Sequence, residues 1–262
     1  MTDEIRLETY DSIATLTLNR PEALNALNRA MAEALDRSLR EVEGMSSLRC
    51  LVIRGAGDHF MAGGDIRYFQ QCLQLPEQQR EAEVNSVIQL VNGAAAALRR
   101  LPQPVIASIR GNVAGFGMSL VAACDLAIAA DNARFTQAYS QIATTPDGAN
   151  TYFLPRLIGL KRSMELSLLN RTLDAGTALG MGLINKVVPG ADLEMETVAM
   201  ARRITQGSPQ ALSGVKMLLN ASLQNTLAQQ LALEQSSFVR CALGMDFKEG
   251  LDAFLEKRPP RF

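Results

Sequence analysis

Two glycine-bearing stretches, FMAGGD at 60–65 and RGNVAGFGMSL at 110–120, hold the residues best suited to chemistry. Where side chains are small, main-chain N–H groups can converge on a negatively charged oxygen. Two such donors from separate loops make an oxyanion hole, typically worth ~10²–10³ in rate per donor. Each stretch follows an apolar run that reads as a strand, LRCLVIRG at 48–55 and PVIASIRG at 104–111. Each also leads into a segment that can begin a helix. Glycines in this setting serve plain tight turns equally well. Neither GAGDHF nor GNVAGFG fits GxGxxG, and no acidic strand end follows, so a dinucleotide-binding dehydrogenase is not supported.

The elements that must position these loops alternate along the first part of the chain. IRLETYD at 5–11 and IATLTLNR at 13–20 show period-2 alternation around Asp11-Ser12 and read as adjacent strands. Pro21 opens a helical pattern in which Leu24, Leu27, Met31, Leu35 and Val42 recur up to Gly44. Further strands at 48–54, 104–109, 126–130 and 184–188, with helices between them, predict an α/β core. After Pro189 the strand signals stop. Ser208-Pro209 caps and opens a helix over 209–222, and a second helix covers 224–243. Asp246 and Glu249 read as a capping box for 247–257. The expected division is a core over 1–192 that carries the site and a helical region over 193–262. Leu231, Phe238, Leu251 and Phe254 are too many apolar residues for so small a helical tail to bury. They call for packing on the core or on another subunit.

Composition narrows the function classes. The 262 residues are 47% hydrophobic and 20% charged, as in ordinary soluble domains. A net charge of −1 gives no electrostatic case for nucleic acid or an anionic membrane. The apolar region 113–130 is interrupted by Asp125, and MTDEIRLE does not read as a secretory signal. Four scattered cysteines and one histidine, His59, offer no disulfide framework or metal site. A reduced, cytoplasmic chain without a metal is expected.

Several motifs together now carry a resemblance: LNRPEALNAL at 18–27, FMAGGDI, the 110–120 stretch, LPRLIG at 154–159, GLINKVV at 182–188 and the terminal DAFLEKRPPRF. The chain resembles the crotonase (enoyl-CoA hydratase/isomerase) superfamily over nearly its whole length. The resemblance implies a spiral core of repeated ββα units and a C-terminal helical trimerisation region, giving a homotrimer or dimer of trimers. It also implies an acyl-CoA thioester as substrate, with no cofactor beyond the CoA moiety. Carried over by position, the N–H groups of Gly64 and Phe116 form the oxyanion hole. Phe116 stands where the family usually has glycine, and its side chain would narrow the pocket. Ala26 and Leu27 would line the CoA entrance, with Ala62, Asp65 and Ile66 around the adenine and pantetheine. Arg67 and Arg29 are phosphate partners by charge, and Lys257 would reach the CoA of a neighbouring subunit. Asp65 serves equally well as an N-cap for 66–73, and the basic residues as solvated surface charges. Met61, Phe69, Met118 and Tyr139 are acyl-pocket walls or simply core.

The acids decide the reaction. Family hydratases add water with two glutamates, whose positions here hold Ser119 and Tyr139. General acid–base groups contribute ~10²–10⁴ each, so efficient hydration is not expected. One carboxylate remains, Asp147 in TTPDGAN, where family isomerases and the 4-chlorobenzoyl-CoA dehalogenase place their catalytic acid. An isomerase needs only one base, and burial would raise the carboxyl above its ~3.9 model value. The local sequence alone reads Pro-Asp-Gly as a turn, or the aspartate as an N-cap. The expected activity is an acyl-CoA isomerase moving a double bond between the β,γ and α,β positions. Its alternatives are atypical enoyl-CoA hydration, aromatic dehalogenation helped by His59, and a non-catalytic acyl-CoA-binding homologue.

Overall fold

The computed structural model describes residues 4–262. In chain order the first elements are β1 (Ile5–Tyr10), β2 (Ile13–Leu18), α1 (Arg29–Gly44), β3 (Cys50–Gly55), α2 (Ile66–Cys72) and α3 (Glu77–Arg100). Next come β4 (Val105–Ile109), β5 (Asn112–Ala114), α4 (Phe116–Ala123), β6 (Leu126–Ala130), β7 (Arg134–Thr136), α5 (Asn150–Ile158) and α6 (Leu160–Leu169). Then follow β8 (Leu173–Asp174), α7 (Ala175–Met181), β9 (Lys186–Val188), α8 (Leu193–Thr205), α9 (Pro209–Ser222), α10 (Leu227–Ala242) and α11 (Met245–Leu255).

The chain visits two sheets in turn. The larger has the order β1-β2-β3-β4-β6-β9 and is parallel except for the β1–β2 hairpin. The smaller, β5-β7-β8, is extended by a parallel bridge from Met61 to Val113. The units β4-β5-α4 and β6-β7-α5 each leave one strand in either sheet and then a helix. One row of partners, Met61 to Val113 to Phe135 to Leu173, links successive turns. This is the spiral of ββα units expected from the sequence.

Period-2 alternation sends the parallel strands into two cores. Leu51, Ile53, Ala107, Ile109 and Ala129 face the main core. Cys50, Val52, Ile106, Ile128 and Ala130 face a second cluster, closed by Leu193 and Ala201 of α8.

Two local readings need correction. The helix expected from Pro21 does not form there: a single 3-10 turn covers Pro21–Ala23, and Leu24 and Asn25 adopt left-handed backbone. Asn25 holds that loop, because its amide nitrogen donates to the Ala56 and His59 carbonyls at 2.9 and 2.7 Å. Helix α1 starts only after Asn28, whose side chain accepts from the Met31 N–H at 2.8 Å. In the tail, α11 begins after Gly244 with no side-chain cap, so Asp246 and Glu249 make no capping box. Glu249 instead takes Arg258 at 2.6 Å and the Arg261 N–H at 2.7 Å. A capping box does form at Thr226 and Gln229, at the head of α10.

Ser208 caps α9 as expected, and Lys216 fastens that helix to the core. The apolar residues Leu231, Phe238, Leu251 and Phe254 remain exposed in the single chain, so the core does not cover them. Among the described residues no helix is long and apolar enough to cross a membrane.

Candidate active site

The two glycine loops run side by side. The Met61 N–H donates to the Asn112 carbonyl at 3.1 Å, and the Ala114 N–H donates back to Met61 at 2.8 Å. With Met61 opposite Val113, the same register three residues on brings Gly64 beside Phe116. Contact is close: a Cβ on Gly63 would lie 3.1 Å from the Ala114 carbonyl oxygen and 3.4 Å from Gly115 Cα. Gly63 also has φ +91°, so a side chain there meets both crowding and strain. Neither the Gly64 nor the Phe116 N–H donates a hydrogen bond among the described residues. Phe116 is the first residue of α4, where unpaired N–H groups and the helix dipole favour an anion.

The Phe116 side chain has its own accommodation. The ring is buried, and a Cβ on Gly148 would lie 2.7 Å from its Cε2 and 2.9 Å from Ser119 Cβ. Gly148, with φ +57°, therefore leaves the space that the ring fills. The turn carrying Asp147 is thus pressed onto the first turn of α4, beside the proposed donor.

Asp147 does not cap α5. That helix begins at Asn150 with no side-chain cap. The Asp147 carboxylate instead accepts from the Tyr139 hydroxyl, with 2.7 Å between that oxygen and Oδ1. Ser119 Oγ lies 3.1 Å from the same hydroxyl and donates to the Asp147 carbonyl oxygen at 2.9 Å. The Gly148 N–H donates to Asn92 Oδ1 at 3.1 Å, tying the turn to α3. The two positions that hold glutamates in resembling hydratases thus hold the partners of the single carboxylate. Burial raises the Asp147 carboxyl, while the Tyr139 hydrogen bond pulls it back only in part. Burial and the neighbouring Asp147 charge push the Tyr139 phenol upward, keeping it a protonated donor.

The family pattern described as Enoyl-CoA hydratase/isomerase matches residues 8–262. The chain belongs to this family. It is 38% identical to a probable enoyl-CoA hydratase of Rhodobacter capsulatus, over 98% of this chain and 97% of that protein. It is also 36% identical to the 1,2-epoxyphenylacetyl-CoA isomerase of Escherichia coli, over 95% and 94%. The crystal structure of an enoyl-CoA hydratase from Bacillus anthracis superimposes with a TM-score of 0.92 at 31% identity, covering 99% and 98%. The fold is the crotonase fold of the hydratase/isomerase family.

On the other side of the oxyanion loops, this family member gathers most of its expected CoA residues. The Leu27 N–H donates to Gly63 at 2.7 Å, the Asp65 N–H to Leu27 at 2.8 Å, and the Ala62 N–H to Leu24 at 3.0 Å. Ala26, Leu27, Ala62, Asp65, Ile66 and Arg67 therefore lie together. Asp65 caps α2 through the Arg67 N–H at 2.9 Å and pairs with Arg20 at 3.0 Å. Arg67 is exposed, and its guanidinium pairs with no carboxylate among the described residues. Arg29 is not a free phosphate partner. Glu83 grips it with two 2.7 Å hydrogen bonds, and Tyr68 joins the same carboxylate at 2.6 Å. Lys257 lies apart in this chain, on the exposed turn after α11.

Of the expected pocket walls, Met61, Met118 and Tyr139 are buried, and the Phe69 ring covers Gly64. His59 is a loop staple: its Nδ1 accepts from the Asn112 N–H at 3.1 Å and its carbonyl accepts from Asn25. That ring nitrogen is therefore occupied, which removes the sequence basis for a histidine-assisted dehalogenation. Sequence reading missed Asn92, Arg20 and the role of Tyr139 as a partner of Asp147. Only contacts across 56, 45 and 8 residues reveal these roles, and no local motif announces them.

Proposed function

We propose that this protein is an acyl-CoA isomerase that moves a double bond between the β,γ and α,β positions. The observation that carries this reading is the 2.7 Å hydrogen bond between Tyr139 and Asp147. It leaves one carboxylate, held by its neighbours, where hydration by the family's usual route would need two. Asp147 removes a proton from the α carbon of a 3-enoyl thioester, and the electron pair moves toward the thioester oxygen. The Gly64 and Phe116 N–H groups stabilise that oxygen as the dienolate forms. Asp147 then returns the proton at the γ carbon, giving the 2-enoyl thioester. With Oδ1 fixed by Tyr139, Oδ2 is the atom that carries the proton.

The CoA moiety belongs on the side of Ala26, Leu27, Ala62, Asp65, Ile66 and Arg67. Met118 and Tyr139 bound the acyl group. The exposed apolar faces of α10 and α11 support a homotrimer or dimer of trimers, in which Lys257 reaches a neighbouring site. A cytoplasmic location accords with the four free cysteines, three of them buried. The relative named 1,2-epoxyphenylacetyl-CoA isomerase adds weight to isomerisation, whereas the relative named as a probable hydratase points the other way.

The test supplies a 3-enoyl-CoA and a 2-enoyl-CoA and follows bond migration and water addition separately. Native protein should isomerise and scarcely hydrate, and Asp147→Ala should lose isomerisation by ~10²–10⁴. Robust hydration by native protein, or unchanged isomerisation by Asp147→Ala, overturns the reading.

A further inference from the structure

Gln137 and Asn150 are each only 1% exposed, yet among the described residues neither amide oxygen nor nitrogen finds a hydrogen-bond partner. They are the two side chains there in which a whole primary amide is left unpaired. Buried amides are ordinarily satisfied, because leaving them dry is costly. Two such groups in one region call for a ligand that pairs with them.

Both belong to the walls of the proposed site. Gln137 follows β7, where burial alternates through Phe135, Gln137 and Tyr139, so Gln137 points to the same side as the partner of Asp147. The Gln137 carbonyl accepts from the Tyr139 N–H at 2.8 Å, and the preceding Thr136 carbonyl accepts from Gly115 beside the oxyanion donor at 3.3 Å. Asn150 heads α5, and its N–H donates to the Asp147 carbonyl at 3.1 Å. It begins the buried stripe Asn150, Leu154 and Ile158, spaced by four, on the core side of α5. That helix packs on α4, whose first turn carries Phe116 and Ser119.

We infer that Gln137 and Asn150 select an acyl chain that carries a hydroxyl group. This deepens the acyl-CoA reading of the same site and rests on it. The proton count chooses the group. Each amide offers a carbonyl acceptor and an NH₂ donor. A plain hydrocarbon chain satisfies neither, and a ketone or ether accepts from NH₂ but leaves the amide oxygens unpaired. A hydroxyl both donates and accepts, so it pairs with both kinds of atom. A site with buried polar groups rejects the analogue that lacks the matching group far more strongly than an apolar pocket rejects an extra methylene.

Binding of saturated thioesters provides the test, because they cannot isomerise and so stay informative even if the reaction class is wrong. Hexanoyl-CoA is compared with 5- and 6-hydroxyhexanoyl-CoA by calorimetry on native protein, Asn150→Leu and Gln137→Leu. At least one hydroxylated chain should bind native protein about tenfold more tightly than hexanoyl-CoA. In the leucine variants that ratio should fall toward one, with the melting temperature unchanged or raised, because a dry amide is replaced by an apolar group. Equal native affinities, or a preference for hexanoyl-CoA, overturn the inference without any variant. So does a hydroxyl preference that survives both substitutions. A lowered melting temperature with an unaltered ratio would instead assign the amides to bound structural water. Failure of the acyl-CoA reading itself would appear as no binding of any thioester.

Discussion

The Tyr139 hydroxyl lies 2.7 Å from Asp147 Oδ1, and the two residues oppose each other electrostatically. Burial raises both groups, and the charge on Asp147 raises the phenol further. The phenol therefore remains a donor while the carboxylate is charged. Ser119 completes the arrangement by donating to the Asp147 carbonyl, so the turn is held at its main chain and its side chain together. A single proton-transfer group positioned at two points suits a reaction that removes and returns the same proton.

Tyr139→Phe removes the one side-chain hydrogen bond that favours the ionised form of Asp147. Hydrogen bonds to charged groups are worth ~1.5–3 kcal/mol, so isomerisation should fall by roughly tenfold or more. The acid limb of the pH profile should also move to higher pH. Measuring kcat/KM against pH for the native and phenylalanine proteins checks both. An acid limb that does not move would mean that Tyr139 does not bear on the base.

Asp147→Asn should separate stability from activity. The folded-state pKa of Asp147 is raised above its ordinary 3.8, so the folded protein favours the protonated form. The group's relative stabilisation is present at low pH and is lost as pH rises from 3.8 through the raised value. At neutral pH the native protein therefore holds a carboxylate that is disfavoured by burial. The asparagine variant should be inactive and melt at a higher temperature at pH 7, with the difference shrinking toward pH 4. Melting curves across that range test it, and a lower melting temperature at neutral pH would count against a desolvated charge.

Gly148→Ala probes how the base and the oxyanion donor are packed together. The new Cβ would sit 2.7 Å from the Phe116 ring at a backbone φ of +57°. Overpacking of this kind costs ~1–3 kcal/mol, and left-handed backbone adds to it. Isomerisation should drop by more than tenfold in protein that still folds, because relief of the clash moves either Asp147 or Phe116. Adding Phe116→Leu to the same chain should recover part of both losses, measured by melting temperature and kcat.

How much of this was legible in the sequence follows from how local each signal is. The strands at 126–130 and 104–109 and the helix at 209–222 announce themselves through alternation, apolar runs and the Ser208-Pro209 cap, and they form nearly where expected. The oxyanion loops were legible for the same reason, since strand and glycine adjoin in the chain. Pro21 misled because its helical spacing through Leu24 and Leu27 is overridden by Asn25, which binds carbonyls more than 30 residues away. Asp147 carried a turn signal that was correct for its backbone but silent about its carboxylate. The Tyr139 bond and the Asn92 tie exist only once β7, α3 and α5 have been brought together.

Lys216 anchors the helical region to the core, and its removal should loosen that region. Its ammonium lies 2.7 Å from Asp125 Oδ2 and donates to the Leu98 and Gln103 carbonyls at 2.9 and 3.0 Å. Asp125 in turn accepts from the Val105 N–H at 2.8 Å, so one buried knot joins α9 to β4 and the end of α3. Lys216→Met keeps the stem but strands a buried carboxylate and two carbonyls, and breaking such a pair costs ~3–5 kcal/mol. The double variant Lys216→Met with Asp125→Asn removes the orphaned charge and should regain part of that loss. Urea unfolding of the native, single and double variants measures the difference. If the single variant loses less than ~1 kcal/mol, solvent reaches Asp125 and the knot is not what holds α9 in place.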